Sequence, residues 1–271
     1  MLIAQISDTH IKTPGRLAYR RVDTAAALKA CVANIMRQTV RPDLVLFTGD
    51  LADFGTADEY AHIKTLLAPL DMPVHLLPGN HDNRDAMRAA WPNAPWAHQR
   101  GALHYVLEEN GLRIVCLDTV IPGSGGGRLE DQDLAWLDAT LAEAPSRPTI
   151  VAMHHPPFLT GIGHMDALGL DGADAFAAVV GRHPQIERIL CGHLHRPIQA
   201  LVGGRLAMSA PSPAHQVALD LAPGAPSQFV QEPGGYLLHL WHPTGGLISH
   251  LAVIGDFGGC HPFFKDGVLI D

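Results

Sequence analysis

Residues 77–82, Leu-Pro-Gly-Asn-His-Asp, place three polar side chains directly after a short apolar segment. The apolar residues 74–77 predict a buried strand, which Pro78 and Gly79 end. Asn80, His81 and Asp82 then lie where a parallel strand would end, and α/β folds carry their functional residues there. The stretch therefore predicts a functional site at the carboxyl edge of a parallel sheet.

Four other apolar segments end in the same way. They are residues 2–7 before Asp8-Thr9-His10, 44–48 before Gly49-Asp50, 149–153 before His154-His155-Pro156-Pro157, and 188–191 before Gly192-His193-Leu194-His195. A single Asp, Asn or His at a strand end is more often a capping or turn residue. Five such endings in one chain are not explained by packing and indicate a shared site.

Helical patterns separate these strands. Asp23 is a candidate N-cap for a helix to about Thr39, and Thr56 with Glu59 forms a candidate capping box. Asn110-Gly111 predicts a hairpin turn, and residues 173–182 predict a helix. After His195 the pattern is mostly β, with candidate strands at 198–202, 205–209, 217–221, 236–241 and 247–254. The alternation over the first 195 residues predicts a layered α/β fold.

Bulk composition excludes several classes of protein. The 271 residues are 47% hydrophobic and carry a net charge of −8, which argues against a duplex nucleic-acid binder with a basic face. The N-terminus shows no signal-peptide pattern, and no apolar run approaches a membrane span. The four cysteines form no CxxC pair, and three lie in apolar runs, which predicts buried thiols and a cytoplasmic protein. Cys260 is left as a candidate intersubunit disulfide.

The strand-end side chains share one chemistry, because they offer nitrogen and oxygen donors without thiolate. Such donors suit divalent or trivalent Zn, Fe, Mn or Co. Seven ligands are too many for one tetrahedral site, and they predict two metal ions that share a carboxylate. The candidate metal ligands are Asp8, His10, Asp50, Asn80, His154, His193 and His195.

In residues and order, these five motifs resemble those of the calcineurin-like metallophosphoesterase superfamily. The resemblance spans about residues 2–200. Chain length, Met153-His154-His155-Pro156-Pro157 and residues 161–166 resemble the branch of bacterial class III cyclic-nucleotide phosphodiesterases and glycerophosphodiesterases. The resemblance implies a four-layer αββα sandwich. Residues 1–196 would form the catalytic core, and residues 197–271 would complete the sandwich and form a cap or oligomerisation region.

The resemblance also assigns roles to individual residues. One metal would take Asp8, His10, Asp50 and His195, and the other would take Asp50, Asn80, His154 and His193, with Asp50 bridging. His81, Asp50 and Asn80 are the implied catalytic residues. The implied substrate-side residues are Asn80, His81, His155 and His215, with His155 behind the metal ligand His154. Tyr19 and residues 157–166 are expected to line the pocket.

The expected reaction is hydrolysis of a small phosphodiester, either a 3′,5′-cyclic nucleotide or a glycerophosphodiester, by a metal-bridging hydroxide. His81 would donate a proton or a hydrogen bond to the leaving oxygen. Asp53-Phe54-Gly55 stands where protein phosphatases of the superfamily carry Asp-Arg-Gly, which disfavours a phosphoprotein substrate. A phosphomonoesterase and a non-catalytic scaffold remain the alternatives. The aromatic residues after Gly255 predict self-association as a dimer or higher oligomer.

Overall fold

Two β-sheets packed face to face contain most strands of the computed structural model, which describes residues 1–270. The helices are α1 Thr24–Met36, α2 Ala57–Leu67, α3 Arg84–Ala90, α4 Asp131–Ala142, α5 Gly163–Asp166 and α6 Ala173–Gly181. The strands are β1 Leu2–Ile6, β2 Leu44–Thr48, β3 Val74–Leu77, β4 Tyr105–Glu109, β5 Leu112–Leu117, β6 Gly127–Arg128, β7 Thr149–Met153, β8 Leu170–Asp171, β9 Ile186–Cys191, β10 Gln199–Val202, β11 Arg205–Ser209, β12 Gln216–Val217, β13 Phe229–Val230, β14 Gly235–His242, β15 Gly246–Val253, β16 Phe264–Lys265 and β17 Val268–Leu269.

The first sheet has the strand order β15-β14-β1-β2-β3, and the second has the order β10-β11-β9-β7-β5-β4. β1, β2 and β3 run parallel, as do β5, β7, β9 and β11. β14 joins the first sheet antiparallel to β1, while β10 and β11 extend the second sheet. Strands from after residue 196 therefore belong to both sheets.

The second sheet shows the layering in its alternating side chains. Ile114 and Cys116 of β5 pack in the cluster that contains the strands of the first sheet, with α1 and α2. Val115 and Leu117 of the same strand pack in a second cluster with α4 and α6. Alternate residues of a strand point to opposite faces, so the order is helices, sheet, sheet, helices. The predicted αββα fold class is confirmed.

Most predicted elements are present with shifts of a few residues at their ends. Asp23 caps α1 by accepting a hydrogen bond from the Ala26 N–H, and Thr56 with Glu59 forms the predicted capping box of α2. Two expectations were wrong in detail. The helix after Asp23 ends at Met36, and the strand predicted over residues 217–221 is limited to β12. Among residues 1–270, no helix combines the length and apolar character needed to cross a bilayer.

Candidate metal centre

All seven candidate ligands lie at the carboxyl ends of strands in the two sheets. Asp8 and His10 follow β1, Asp50 follows β2 and Asn80 follows β3. His154 follows β7, while His193 and His195 follow β9. Because the sheets face each other, these loops meet above the space between them. The structure therefore brings together every residue that the sequence selected for metal binding.

One half of the cluster contains Asp8, His10 and His195. The Nε2 atoms of His10 and His195 are 3.1 Å apart, and His195 Nε2 is 3.7 Å from Asp8 Oδ1. His10 Nε2 also lies 3.5 Å from Asp50 Oδ2.

The other half contains Asn80, His154 and His193. The Asn80 Oδ1 atom lies 3.1 Å from both His154 Nε2 and His193 Nδ1. His154 Nε2 is 3.4 Å from Asp50 Oδ2, the carboxylate oxygen that also faces His10. Asp50 thus stands between the two halves, where a bridging ligand would be needed.

The outer nitrogen of each imidazole contacts a group that can only accept a hydrogen. His10 Nδ1 donates to the Asp53 carboxylate, His154 Nδ1 to the Thr48 carbonyl, His193 Nε2 to the Leu168 carbonyl, and His195 Nδ1 to the His215 carbonyl. Each neutral imidazole then turns a lone pair toward the centre.

With its imidazoles neutral, the centre would present imidazole lone pairs, carboxylate oxygens and an amide oxygen to one another. Facing acceptors repel unless a cation or a proton lies between them. The donor set suits divalent metals, and carbonyl or carboxylate partners on the outer nitrogen are the usual support of metal-binding histidines. These residues fit metal ions.

The charges within the cluster shift its pKa values strongly. Burial favours the neutral form of Asp50, but His154 outweighs it and lowers the pKa of Asp50 well below its usual range. Burial likewise opposes charge on His154, yet the Asp50 carboxylate raises the pKa of His154 to about 9. Burial and the charge of His154 lower the pKa of His193 to about 3. A cation in the centre would compete with the proton that His154 otherwise retains.

Five of the seven candidate ligands adopt left-handed backbone conformations. Their φ angles lie between 44° and 70°, and the residues are Asp8, His10, Asp50, His193 and His195. L-residues other than glycine rarely adopt this region, although Asp, Asn and His do so more often than the rest. Such conformations cost about 1–3 kcal/mol each and persist where the surrounding structure fixes them.

Asp82, the last residue of the 77–82 stretch, organises the loop that carries Asn80. Its carboxylate accepts hydrogen bonds from the Gly79 and Leu51 N–H groups and from the Tyr60 hydroxyl, at 2.9, 3.1 and 3.0 Å. Gly79 lies so close to Asp50 that an added Cβ would overlap the Asp50 carboxylate. This packing sets the distance between Asn80 and Asp50.

A cavity of about 470 Å³ opens beside the centre. His81, His215 and Tyr19 line it together with Phe229. His81 donates its Nδ1 hydrogen to the Asp53 carbonyl at 2.8 Å, which leaves Nε2 for another partner. Tyr19 packs edge-on against His215 at 5.3 Å between ring centroids and stacks on Phe229 at 4.9 Å.

His155 is fully buried, and both of its ring nitrogens have partners within the protein. Nδ1 is 2.7 Å from Thr119 Oγ1, and Nε2 is 3.3 Å from the Gly125 carbonyl. It is not part of the cavity lining. The structure thus places His155 behind His154 and His193, and its expected contact with substrate stays a prediction.

Asp53 was missed as a site residue by the sequence interpretation. Its carboxylate accepts a hydrogen bond from His10 Nδ1 at 3.2 Å and pairs with Lys12. Burial opposes its charge, but His10 and Lys12 outweigh that effect and lower the pKa of Asp53 to about 2. No signal in the sequence marks this contact, because Asp53 lies in a loop rather than at a strand end.

Comparison with known proteins gives one family and a consistent group of relatives. The model of the family described as calcineurin-like phosphoesterase matches residues 1–197. A probable glycerophosphodiester phosphodiesterase of Arcobacter nitrofigilis is 40% identical and covers 100% of both chains. A 3′,5′-cyclic adenosine monophosphate phosphodiesterase of Pseudomonas aeruginosa is 32% identical over 94% of this chain and 91% of its own.

A dimetal phosphatase from Danio rerio resembles the fold. Its crystal structure superimposes with a TM-score of 0.61 at 16% identity, over 94% of this chain and 99% of that one. At this identity the likeness concerns the fold alone.

Proposed function

Since the chain belongs to the calcineurin-like phosphoesterase family, we propose that it hydrolyses small phosphodiesters, either glycerophosphodiesters or 3′,5′-cyclic nucleotides. It is a metal-dependent phosphoric diester hydrolase. The observation that carries the proposal is the convergence of seven nitrogen and oxygen donors beside a cavity of about 470 Å³. A cavity of this size accommodates a small organic diester.

Two metal ions per chain, drawn from Fe, Zn, Mn and Co, fit the proposed site. The first would bind Asp8, His10, Asp50 and His195, and the second Asp50, Asn80, His154 and His193. In support, Asp50 Oδ2 lies within 3.5 Å of a ring nitrogen in each half. All four metals bind oxygen and imidazole donors of this kind, so the donor set alone does not select one metal among them.

When bound, the metal ions supply a nucleophile at neutral pH and offset charge on the phosphoryl oxygens. Asn80 and His81 are the proposed residues that orient the phosphoryl group. Asp50 Oδ1 accepts the His81 backbone N–H at 2.9 Å, so the proposed bridging ligand also positions the His81 loop. With Nδ1 donating to the Asp53 carbonyl, His81 in its protonated form would give its Nε2 hydrogen to the leaving alkoxide.

His215 and Tyr19 form the proposed wall for the leaving group. His215 Nδ1 is buried without a hydrogen-bond partner, and burial lowers the pKa of His215 to about 3. A neutral imidazole at the cavity wall can form a hydrogen bond with a ligand without placing a charge in a buried position. His155 stays a proposed substrate-side residue behind His154, with its ring nitrogens held by Thr119 and Gly125.

The decisive experiment is turnover of a substrate panel by protein of known metal content. The panel contains cyclic AMP, glycerophosphocholine, glycerophosphoethanolamine, a bis-nitrophenyl diester and a nitrophenyl monoester. Metal-dependent turnover of diesters above the monoester is expected, and the preferred natural diester then selects between the two substrate classes. Turnover of the monoester alone would replace the proposal with a phosphomonoesterase, and metal binding without turnover would favour a scaffold.

Self-association and a cytoplasmic location are also proposed. The C-terminal arm, which we define as residues 255–270, exposes Phe257, Phe263 and Phe264, and it follows the edge strand β15. Exposed apolar surface of this kind marks interfaces. Cys31, Cys116 and Cys191 are buried free thiols, which suits a reducing compartment. Cys260 is exposed, and a disulfide to a second chain through it remains a prediction.

A further inference from the structure

A chain of hydrogen bonds crosses the interior between the two sheets directly beneath the metal centre. Its middle member is Gln5 of β1, which is fully buried. The Gln5 amide nitrogen donates to Thr48 Oγ1 and to the Cys191 carbonyl, both at 2.9 Å. Thr48 belongs to the first sheet and Cys191 to the second, so one side chain joins both sheets.

The two residues that Gln5 contacts are the last residues of their strands. Thr48 ends β2 two residues before Asp50, and Cys191 ends β9 two residues before His193. The Thr48 carbonyl also accepts the His154 Nδ1 hydrogen at 2.8 Å. Gln5 therefore contacts the last residues of strands that precede candidate ligands in both sheets, and one of those residues, Thr48, also holds the His154 ring.

The sheets approach closely at this level. A Cβ added to Gly192 would overlap Ser7 Oγ and would lie 2.6 Å from the Thr48 carbonyl oxygen. Apolar packing between sheets is not directional, and it tolerates small sliding motions. Hydrogen bonds have defined lengths and angles, so Gln5 fixes the relative position of the strand ends more narrowly than packing does.

The amide oxygen of Gln5 is held by a hydrogen bond as well. Gln5 Oε1 accepts a hydrogen from His239 Nε2 at 3.0 Å, and His239 Nδ1 accepts one from Ser249 Oγ at 2.8 Å. Both amide hydrogens of Gln5 and both ring nitrogens of His239 are thus engaged. A fully satisfied buried network makes a core rigid and specifies one arrangement.

We propose that Gln5, oriented by His239, is a positioning residue that sets the separation of the β2 and β9 ends and so preorganises the metal centre. The inference rests on the proposed function, because the metal ions are part of that proposal. Neither residue belongs to the proposed ligands, and neither lines the cavity. Supporting residues behind metal ligands typically contribute about 10- to 100-fold in metal affinity.

The test compares Gln5→Leu with Gln185→Leu. Gln185 is also a buried glutamine, but it precedes β9, at the end opposite Cys191, where its amide donates to the Leu141 carbonyl at 3.0 Å. Both variants remove a buried amide, and we expect both to lower the melting temperature of the metal-free protein. Only Gln5→Leu should weaken metal binding, by about 10-fold in chelator competition, and alter the visible absorption spectrum of the Co²⁺-loaded protein.

Metal affinity within about twofold of the parent, with an unchanged Co²⁺ spectrum, would show that Gln5 serves stability alone and would overturn the inference. If Gln5→Leu does not fold, His239→Leu decides by the same two readouts, because it removes the donor that orients Gln5. A parent protein that binds Co²⁺ without hydrolysing diesters overturns the proposed function only. A parent that binds no Co²⁺ overturns both proposals.

Discussion

The metal centre and the C-terminal arm depart from the usual distribution of side chains in opposite directions. At the centre, Asp8, Asp50 and His154 are buried, whereas in the arm Phe257 and Phe263 are 68% and 79% exposed. Burying charge costs free energy, and exposing large apolar groups forgoes the gain from their burial. Both regions therefore have an unfavourable free energy in the isolated chain, which indicates that something binds at each. The centre would bind cations and the arm, as proposed, another copy of the chain.

The largest effect is expected from Asp50→Asn. Asparagine keeps the shape of the side chain and tolerates the left-handed backbone, but it removes the charge shared by both halves of the centre. Metal content should fall, and turnover of diesters should drop roughly 10³-fold. Elemental analysis and steady-state kinetics measure the two effects. Asp58→Asn, an exposed residue of α2, is the matched control, and equal behaviour of both variants would contradict the assignment of Asp50.

His81→Ala tests the proposed role of a polar residue that lines the cavity beside the metal centre. If His81 gives a proton to the leaving oxygen, turnover of glycerophosphodiesters or cyclic AMP should fall about 10²-fold. The bis-nitrophenyl diester, whose leaving group needs no proton, should lose far less. The exposed His98→Ala is the control. Equal losses on both kinds of substrate would assign His81 to binding rather than to proton transfer.

His239 provides a pH-dependent test of the buried network. Burial, with the nearby positive charges of Arg188 and His250, lowers the pKa of His239 from 6.5 to about 3. Between these values the unfolded chain binds the proton and the folded chain does not, so stability falls as the pH falls. In urea unfolding of the metal-free proteins, the parent should lose about 2 kcal/mol more than His239→Leu between pH 7.5 and about 5. Parallel pH curves would show that His239 is not buried in its neutral form.

The smallest effect on catalysis is expected in the arm. The double variant Phe263→Asp with Phe264→Asp should shift the protein toward the monomer, because charge at an apolar interface must be desolvated. Metal content and turnover per chain should remain unchanged. Light scattering coupled to size exclusion measures the oligomeric state. Val40→Asp is the control, because Val40 is an apolar residue outside the arm and is 67% exposed. A parent protein that is already monomeric would remove the proposed role of the arm.

The polar strand ends were predictable because they depend on local sequence. An apolar strand followed by Asp, Asn or His marks both the element and its functional end, and the structure places all seven donors in one cluster. The capping box of α2 and the Asn110-Gly111 turn were predictable for the same reason, with Asn110 and Gly111 at φ angles of 45° and 83°.

The remaining features depend on residues far apart in the chain. Gln5 contacts Cys191 and His239, which lie 186 and 234 residues away, and no local pattern indicates either contact. The ribbon of β12 and β13 joins residues on both sides of a segment rich in proline and glycine, and no local pattern indicated the strand from which Phe229 reaches Tyr19. The short helix α5 was not predicted either, because Gly161 and Gly163 are residues typical of a loop.

The left-handed backbone of Asp8, His10, Asp50, His193 and His195 has a consequence for any attempt to change the metal preference by random mutagenesis. At these five positions most substitutions introduce backbone strain of about 1 kcal/mol or more before their ligand chemistry is tested. Asn, Asp, His and Gly are the residues that tolerate the conformation. A library limited to those four types would sample new donor sets while most members still fold, whereas alanine scanning would mix strain with the loss of a ligand.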